Sequence, residues 1–242
     1  YSLIPYPPKL WLDASDPATI EQVDGNLTKW LNKTGGGHAA IVANGNVKFL
    51  PDGLGHSLPA INTTNAQLKI IDSNTSFDGW EKITVCFAFK WTTSTIWGNV
   101  IWKEGSGFKI QKMNTGAGQG TGLWYVTDKR LFGSVATEGY EPKVLSVVCD
   151  GSVNTAQLYA DGSLIRQTTD FPDQITPTPL ATLDKGNGHL KIGGGNLFSE
   201  ILIYEDSLDS EERSSVENYL MGRWLGGRHS MLIDSNGSLK TN

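Results

Sequence analysis

Short apolar segments separated by tight-turn signals recur along the chain, and this spacing constrains the fold more than any other feature. Within the segments, apolar and polar side chains tend to alternate, as they do in half-buried β-strands. Asp-Gly pairs, which favour the tight turns of antiparallel hairpins, begin at positions 24, 52, 78, 150 and 161. Many short strands with regular turns are typical of two antiparallel sheets packed face to face. We therefore expect an all-β, two-sheet antiparallel sandwich.

One segment, "KITVCFAFKW" at 82–91, predicts a central strand of that sandwich. Its large apolar residues fall at alternate positions and so share one face of the strand: Ile83, Val85, Phe87, Phe89 and Trp91. The opposite face carries smaller or polar residues. We expect the apolar face to lie in the core. Further along, "VVCDGSVNTAQLYADGSLI" predicts successive hairpin strands with a tight turn in "YADGSL".

The bulk composition fits one domain and excludes several classes of partner. The 242 residues are 38% hydrophobic, enough for one sizeable core. A formal net charge of -5 weighs against nucleic acid, whose phosphates require a basic face, and against an anionic membrane surface. The sequence contains no run of about 20 apolar residues, so we expect no membrane insertion.

The two cysteines each lie in an apolar strand segment. Cys86 and Cys149 are expected as free buried thiols, which is the common state of a cysteine in such a setting. A cross-strand disulfide is the alternative.

The segment 199–224, "SEILIYEDSLDSEERSSVENYLMGRW", predicts a strand followed by one amphipathic helix. Asp209 suits the N-cap, and Glu212 three residues later completes a capping box. Apolar residues then recur on one stripe, and Gly226 or Gly227 can end the helix. The stripe contains Val216, Tyr219, Leu220 and Trp224. We expect the helix to bury this stripe against the sandwich, over a sheet edge or at one end of the core.

Three stretches resemble the concanavalin A-like, laminin G-like jelly-roll domains, in particular a microbial and phage group. They are "LWLDASDPATI" at 10–20, "WLNKTGGGHAA" at 30–40 and "KIGGGNLFSEILIYEDSLDSEERSSVENYLMGRW" at 191–224. The resemblance implies a concanavalin A-like jelly-roll sandwich with one C-terminal helix over 10–225, preceded by a lead-in at 1–9 and followed by a tail at 226–242. It also implies a binding or adhesion module within a larger surface or virion protein.

The sequence contains no catalytic motif. Glycosidases on such sandwiches place carboxylates at alternate positions of one strand, and no such set occurs; Glu200 and Glu205 are five residues apart and point to opposite faces. No serine lies in a Gly-x-Ser-x-Gly elbow, and the four histidines lack zinc-ligand spacing. We therefore expect a protein that is not an enzyme.

Aromatic residues beside loop signals suggest a ligand site. Sugars stack on aromatic rings while their hydroxyls bond to polar side chains. Trp97 precedes Gly98, and Trp124 and Tyr125 follow the glycine-rich segment "NTGAGQGTG", so these three are candidate platforms. Asp128 and Arg130 are candidate polar contacts. Core packing is the alternative role for the aromatics.

The segment "DSNTSFDG" at 72–79 offers oxygen atoms at alternate positions, which suits calcium. Asp72, Asn74 and Asp78 are the candidate ligands, and some relatives of the resembled group hold a calcium ion at the sandwich rim. A solvated turn is the simpler explanation of the same residues, because Asp, Asn and Ser often form turns.

These observations predict noncatalytic recognition of a surface glycan or cell-surface receptor, in an extracellular, cell-surface or virion setting. A structural virion component, such as a capsid decoration or tail protein that contacts other subunits, is the first alternative. A glycan-active enzyme is the second. A glycan array with and without calcium separates the first two, and hydrolysis of a polysaccharide panel tests the third.

Overall fold

In the computed structural model, the described elements are almost all strands, and an α-helix comes near the end of the chain. The structure describes residues 4, 6–71, 77, 79–92, 97–104, 108–114, 121–126, 133–136, 141–153, 155–167, 188–226, 232–233 and 239–240. The strands are β1 (Leu10–Asp13), β2 (Ile20–Val23), β3 (Asn26–Leu31), β4 (Ala39–Asn44), β5 (Lys48–Gly55), β6 (Leu58–Asn62), β7 (Gln67–Ile70), β8 (Lys82–Trp91), β9 (Trp97–Lys103), β10 (Lys109–Asn114), β11 (Thr121–Val126), β12 (Gly133–Ala136), β13 (Lys143–Asp150), β14 (Thr155–Ala160), β15 (Ser163–Gln167), β16 (Leu190–Ile192), β17 (Asn196–Tyr204), β18 (Leu232–Ile233) and β19 (Leu239–Lys240). A 3-10 turn covers Pro17–Thr19 and the helix α1 covers Ser210–Trp224.

Apart from the small β18–β19 pair, the described strands form two sheets that are joined at one point, where Asn26 of β3 pairs with Lys48 of β5, and every described pairing is antiparallel. The first sheet has the order β15-β14-β13-β8-β17, with β1 and β6 on the other edge of β17 and β5 beside β6. The second has the order β2-β3-β4-β7-β16-β9-β10-β11-β12. The predicted all-β sandwich with a C-terminal helix is confirmed.

The main core lies between the two sheets. The inward face of β8 carries the predicted apolar set, and all five of its members are buried. Trp30 from β3 and Phe198 from β17 are fully buried in the same cluster. Each such aromatic contributes roughly 2 to 3 kcal/mol by leaving water.

Helix α1 packs on the outer face of the first sheet, over β8 and β13, and not at a sheet edge or at the end of the core. The outward residues of β8 beneath it include Cys86 and Ala88, whose short side chains let the helix approach closely. Val216, Leu220 and Trp224 are buried there, which confirms most of the predicted stripe; Tyr219 is only partly buried. This second apolar cluster explains why the sandwich needs a helix.

Local signals at the helix ends behave as predicted. The Asp209 side chain accepts hydrogen bonds from the backbone N–H groups of Glu211 and Glu212, and the Glu212 carboxylate accepts one from the Asp209 backbone N–H, so the capping box is complete. The helix ends at Leu225, and Gly226 follows with a φ of 47°.

Two of the Asp-Gly pairs form the predicted hairpin turns. Asp24-Gly25 joins β2 to β3 and Asp161-Gly162 joins β14 to β15, with positive φ at both residues of each pair. The pair at 52–53 instead lies inside β5, and the β5–β6 turn is made by His56 and Ser57. The Asp52 carboxylate accepts the Ser57 backbone N–H, so the aspartate supports the turn from within the strand.

Both cysteines are free and buried, as expected. Cys86 belongs to the cluster beneath the helix and Cys149 to the core between the sheets, so they lie on opposite faces of the first sheet. Burial raises the pKa of each thiol to about 12. No helix within the described ranges is long and apolar enough to cross a membrane.

The two ends of the described domain are joined by a buried polar cluster. Asp13 of β1 and Glu200 of β17 are cross-strand neighbours, and both are fully buried. Arg223 of the helix donates to Asp13 at 2.9 Å and lies 3.6 Å from Glu200. Lys33 donates to Asp13 at 2.9 Å.

Aromatic donors complete the cluster around Glu200. The indole N–H of Trp11 donates to Glu200 Oε1 at 2.7 Å, and the Tyr219 hydroxyl donates to the same atom at 2.9 Å. The Trp224 indole donates to Oε2. Burial, followed by the nearby Asp13, raises the pKa of Glu200. The stretches at 10–20 and 191–224 that carry the family resemblance therefore meet in space.

Substitution Arg223→Met should lower the free energy of unfolding by about 2 kcal/mol, because it leaves two buried carboxylates without their shared cation. The expected loss is below the ~3–5 kcal/mol of a wholly buried pair because 27% of the Arg223 side chain is exposed. Urea unfolding at pH 7 measures it. Lys9→Met is the control: it breaks only an exposed contact with Glu205, so its loss should stay below about 1 kcal/mol. Equal losses in the two variants would contradict the role given to Arg223.

Candidate ligand-binding site

The residues predicted from sequence fall partly in described strands. Trp97 begins β9, and Trp124 and Tyr125 lie in β11. Strands β9 and β11 flank β10, so the three backbone positions lie in neighbouring strands of the second sheet. Their side chains lie outside the described part of the structure. The predicted contacts and calcium ligands also lie outside it: Asp128, Arg130, Asp72, Asn74 and Asp78.

A polar cleft of about 600 Å³ opens where several strands of the second sheet end. Its described side-chain lining is uncharged and, apart from Ala66, polar, with amides from Asn44, Asn65, Gln67 and Asn99. Thr63 and several glycines complete the wall. A side-chain amide offers both a donor and an acceptor, so this lining can bond to hydroxyl groups in either sense.

Close backbone contacts between turns shape the cleft. Gly45 has a φ of 69°, and a Cβ there would lie 2.4 Å from the backbone oxygen of Asn65. Gly194 has a φ of 81°, and its Cβ would lie 2.6 Å from the backbone oxygen of Asn99. Only glycine fits both the backbone conformation and the space at these positions. The walls of the cleft are therefore formed by backbone segments that pack too closely for a side chain to fit between them.

The amides of the cleft are partly engaged with one another. Asn44 Nδ2 donates to Gln67 Oε1 at 3.2 Å, and Gln111 Nε2 donates to Asn99 Oδ1. Within the described part of the chain, Asn44 Oδ1, Gln67 Nε2 and the Asn65 amide have no protein hydrogen bond. One acceptor atom, one donor group and one complete amide therefore remain for a ligand, and the Asn44 and Gln67 side chains that carry the first two are held by their mutual hydrogen bond.

An aromatic side chain lies beside Gln67, which is one of the residues that line the cleft. A Cβ on Gly193 would lie 3.2 Å from Gln67 Cγ and 3.5 Å from the tip of the Trp102 ring, so both side chains flank this glycine. Trp102 is half-buried and belongs to β9. The fold thus places an indole ring beside an amide group. A sugar can stack on the first and form hydrogen bonds with the second.

A buried lysine supports the floor of the cleft. Lys112 is fully buried, donates to Asn196 Oδ1 at 3.0 Å and lies 3.7 Å from the centre of the Trp91 ring. Asn196 in turn donates hydrogen bonds to the carbonyls of Gly193 and Gly194. These bonds fix the turn at 193–195, which forms part of the cleft wall. Burial lowers the pKa of Lys112 to about 7.

Sequence reasoning missed Trp102 and the amides as site residues. Trp102 belongs to the aromatic-rich middle of the chain, but nothing local distinguishes it from a core tryptophan. The amides come from three segments, at 44, 65–67 and 99, which are more than 20 residues apart in sequence and meet only through sheet pairing. The alternation of residues along "NVIWK" could have placed Trp102 on the face of the strand opposite to that of the buried Ile101.

The cleft offers recognition chemistry. Its described lining contains no carboxylate. The buried pair Asp13 and Glu200 lies beneath the helix on the other sheet, and both carboxylates are occupied by hydrogen bonds. Among the described residues, no group of three or more His, Cys, Asp or Glu could hold a metal ion.

Comparison with known proteins identifies structural neighbours. No family model and no curated protein matches the chain. Solved structures do match, among them the binding domain of botulinum neurotoxin DC in complex with SialylT (TM-score 0.58, 11% identity, 88% of this chain and 51% of that chain). The botulinum neurotoxin serotype D ligand binding domain in complex with N-acetylneuraminic acid also matches (TM-score 0.58, 14% identity, 87% and 50%). The chain thus spans about half the length of these structures, and at this identity the likeness shows a shared fold.

The pKa of Lys112 predicts a pH-dependent stability. Because the folded pKa is near 7 and an unfolded lysine titrates near 10.4, the unfolded state binds more protons between these values, and stability rises with pH across that window. Between pH 7 and 9 the parent should gain about 2 kcal/mol relative to Lys112→Met. Urea unfolding at several pH values measures the difference. Lys48→Met, at an exposed position, is the control and should keep the slope of the parent. A difference between parent and Lys112→Met that does not change with pH would contradict the assignment.

Gly194→Ala tests whether close backbone packing builds the cleft. Gly25→Ala is its control, because Gly25 has a similar φ of 75° but open space around a Cβ. Gly25→Ala should cost about 1 kcal/mol from backbone strain alone. Gly194→Ala should cost ~3 kcal/mol, because the added Cβ also displaces the Asn99 backbone. Urea unfolding measures both, and similar losses would show that the packing is loose.

Proposed function

We propose that the chain is a noncatalytic binding module that recognises a glycan through the cleft of the second sheet. The observation that carries the proposal is a cleft lined by amide groups, with the half-buried Trp102 beside one of the lining residues, Gln67. Sugar rings present alternating hydroxyls and apolar C–H faces. Amide donors and acceptors match the hydroxyls, and the Trp102 indole matches the C–H face.

The cleft has the dimensions of a small-molecule site. Its volume of about 600 Å³ falls within the usual 300–1,000 Å³ range of ligand pockets. Binding costs less free energy when the contacting groups are held before the ligand arrives. The bond between Asn44 and Gln67 and the fixed turn at 193–195 hold the walls in this way.

The structural neighbours support the proposal without transferring a ligand. Two of them are described as binding domains in complex with a sialylated or sialic acid ligand. Since this chain spans about half of each, the ligand-binding half of those proteins need not correspond to it. The support is that a sandwich of this shape occurs in receptor-binding proteins.

The finer features of the sequence interpretation belong to the same proposal. We propose membership of the microbial and phage laminin G-like group, with the domain at 10–225 acting within a larger extracellular, cell-surface or virion protein. Trp97, Trp124, Tyr125, Asp128 and Arg130 would extend the site, and calcium held by Asp72, Asn74 and Asp78 would fix a segment at the rim. Contacts with other subunits are the alternative role.

Gln67→Ala should weaken glycan binding roughly five- to tenfold, the usual effect of losing one hydrogen-bonding partner. Trp102→Ala should weaken it at least as much through lost stacking. A glycan array, run with and without calcium, first identifies the ligand, and titration calorimetry then compares the variants. Gln22→Ala, at an exposed position of β2, is the matched control and should bind as the parent does.

The array also tests the alternatives. Absence of binding to every glycan on the array would overturn the proposal and favour a structural subunit. Hydrolysis of a bound glycan would show an enzyme.

A further inference from the structure

The outer face of the second sheet carries a transverse row of lysines that the cleft does not use. Strand register places one residue from each of six neighbouring strands side by side. From β3 to β10 these are Lys29, Ile41, Lys69, Lys191, Trp102 and Lys109. Cross-strand partners share a face, and the chain neighbours of Lys69, Lys191 and Lys109 are buried, so the row points outward.

Two members of the row are like charges in direct register. Lys69 and Lys191 are cross-strand partners, and neighbouring strands lie about 4.8 Å apart. Like charges directly opposite each other destabilise a sheet. The chain has a net charge of -5, so this concentration of positive charge is local and opposes the overall balance.

Acidic partners neutralise the row only in part. Lys191 pairs with Glu104, and Lys29 pairs with Glu21 at 3.1 Å. Lys69 has no ion pair among the described residues, although it stands beside Lys191. The centre of the row therefore keeps a positive charge that the described protein does not balance.

This charge lies next to the proposed glycan cleft. Trp102 is in register with Lys191, and its ring tip approaches Gly193, on whose other side lies Gln67. Gln67 is two residues before Lys69 in β7 and so shares its face. A sugar that stacks on Trp102 and bonds to Gln67 would bring its substituents to Lys69 and Lys191.

We propose that the cleft takes an acidic glycan, whose carboxylate or sulfate group binds between Lys69 and Lys191. This inference rests on the proposed glycan-binding function and adds the ligand class. Lysine ammonium groups bond well to carboxylate and sulfate oxygens. The anion would also relieve the repulsion between the two lysines, so that the charge pair is costly in the free protein and favourable in the complex.

The test uses sets of glycans that share one neutral core and differ only in a sialic acid or sulfate substituent. We expect the parent protein to bind acidic members roughly tenfold more tightly than the neutral core. The preference should fall between 50 and 300 mM NaCl because exposed charges are screened. Comparison of the sialylated and sulfated members identifies the source of the charge.

Lys69→Gln should reduce this preference to near that of the neutral core while leaving binding of the core itself unchanged. Its Tm should be equal to or above that of the parent, because a repulsive partner of Lys191 is removed. Lys48→Gln, at an exposed lysine of the first sheet, is the control and should keep the preference. A merely structural lysine would show the opposite pattern, a lower Tm with the preference intact.

The outcomes separate this inference from the function it rests on. Equal binding of neutral and acidic members, or a preference that survives Lys69→Gln, overturns the inference and leaves glycan binding in place. No binding to any member overturns both. Tight binding to a DNA duplex with the same salt dependence would also overturn it, because the face would then recognise any polyanion.

Discussion

The structure depends on the neutralisation of two buried carboxylates, Asp13 and Glu200, that stand side by side in adjacent strands. Neither could remain ionised in the interior without cations and donors, because an unpaired buried charge costs several kcal/mol. The first sheet alone supplies only the Trp11 indole to Glu200. Helix α1 supplies Arg223 and two aromatic donors, so the helix completes the polar cluster as well as the apolar cover.

This constraint explains the division of roles between the two sheets. The helix occupies the outer face of the first sheet, where short residues such as Cys86 and Ala88 leave room for it. The half-exposed Trp102 and the lysine row lie instead on the outer face of the second sheet. A sandwich with one face covered by a helix leaves the other face and the turns at its ends available for the recognition that we propose.

Features with a local cause could be predicted from sequence, and features set by register could not. The alternation at 82–91 and the capping box at Asp209 need only neighbours in the chain, and both appear as expected. The Asp52-Gly53 pair failed as a turn signal because the strand continues through it, and the aspartate bonds instead to a later turn residue. The aspartate does support a turn, but the turn lies at His56 and Ser57 and not at the Asp52-Gly53 pair.

The candidate site follows the same rule. Glycine neighbours singled out Trp97 and Trp124, whereas Trp102 gains its setting from β16, which lies nearly 90 residues away in sequence. The pairing of Lys69 with Lys191 likewise joins segments about 120 residues apart. No local pattern encodes such neighbours, so the residues of this candidate site could not be predicted from the sequence.

The two charged clusters of the molecule differ in one respect that bears on function. Among the described residues, donors and cations satisfy the acceptor atoms of Asp13 and Glu200. This cluster therefore stabilises the fold and offers few unpaired groups to a ligand. Around Lys69, the described acidic side chains neutralise only part of the positive charge. Electrostatic complementarity contributes more to selectivity than to raw affinity. The partly neutralised lysine row and the uncharged cleft beside it would therefore have separate roles in binding. The cleft amides and Trp102 would hold any suitable sugar, and the lysines would choose among them.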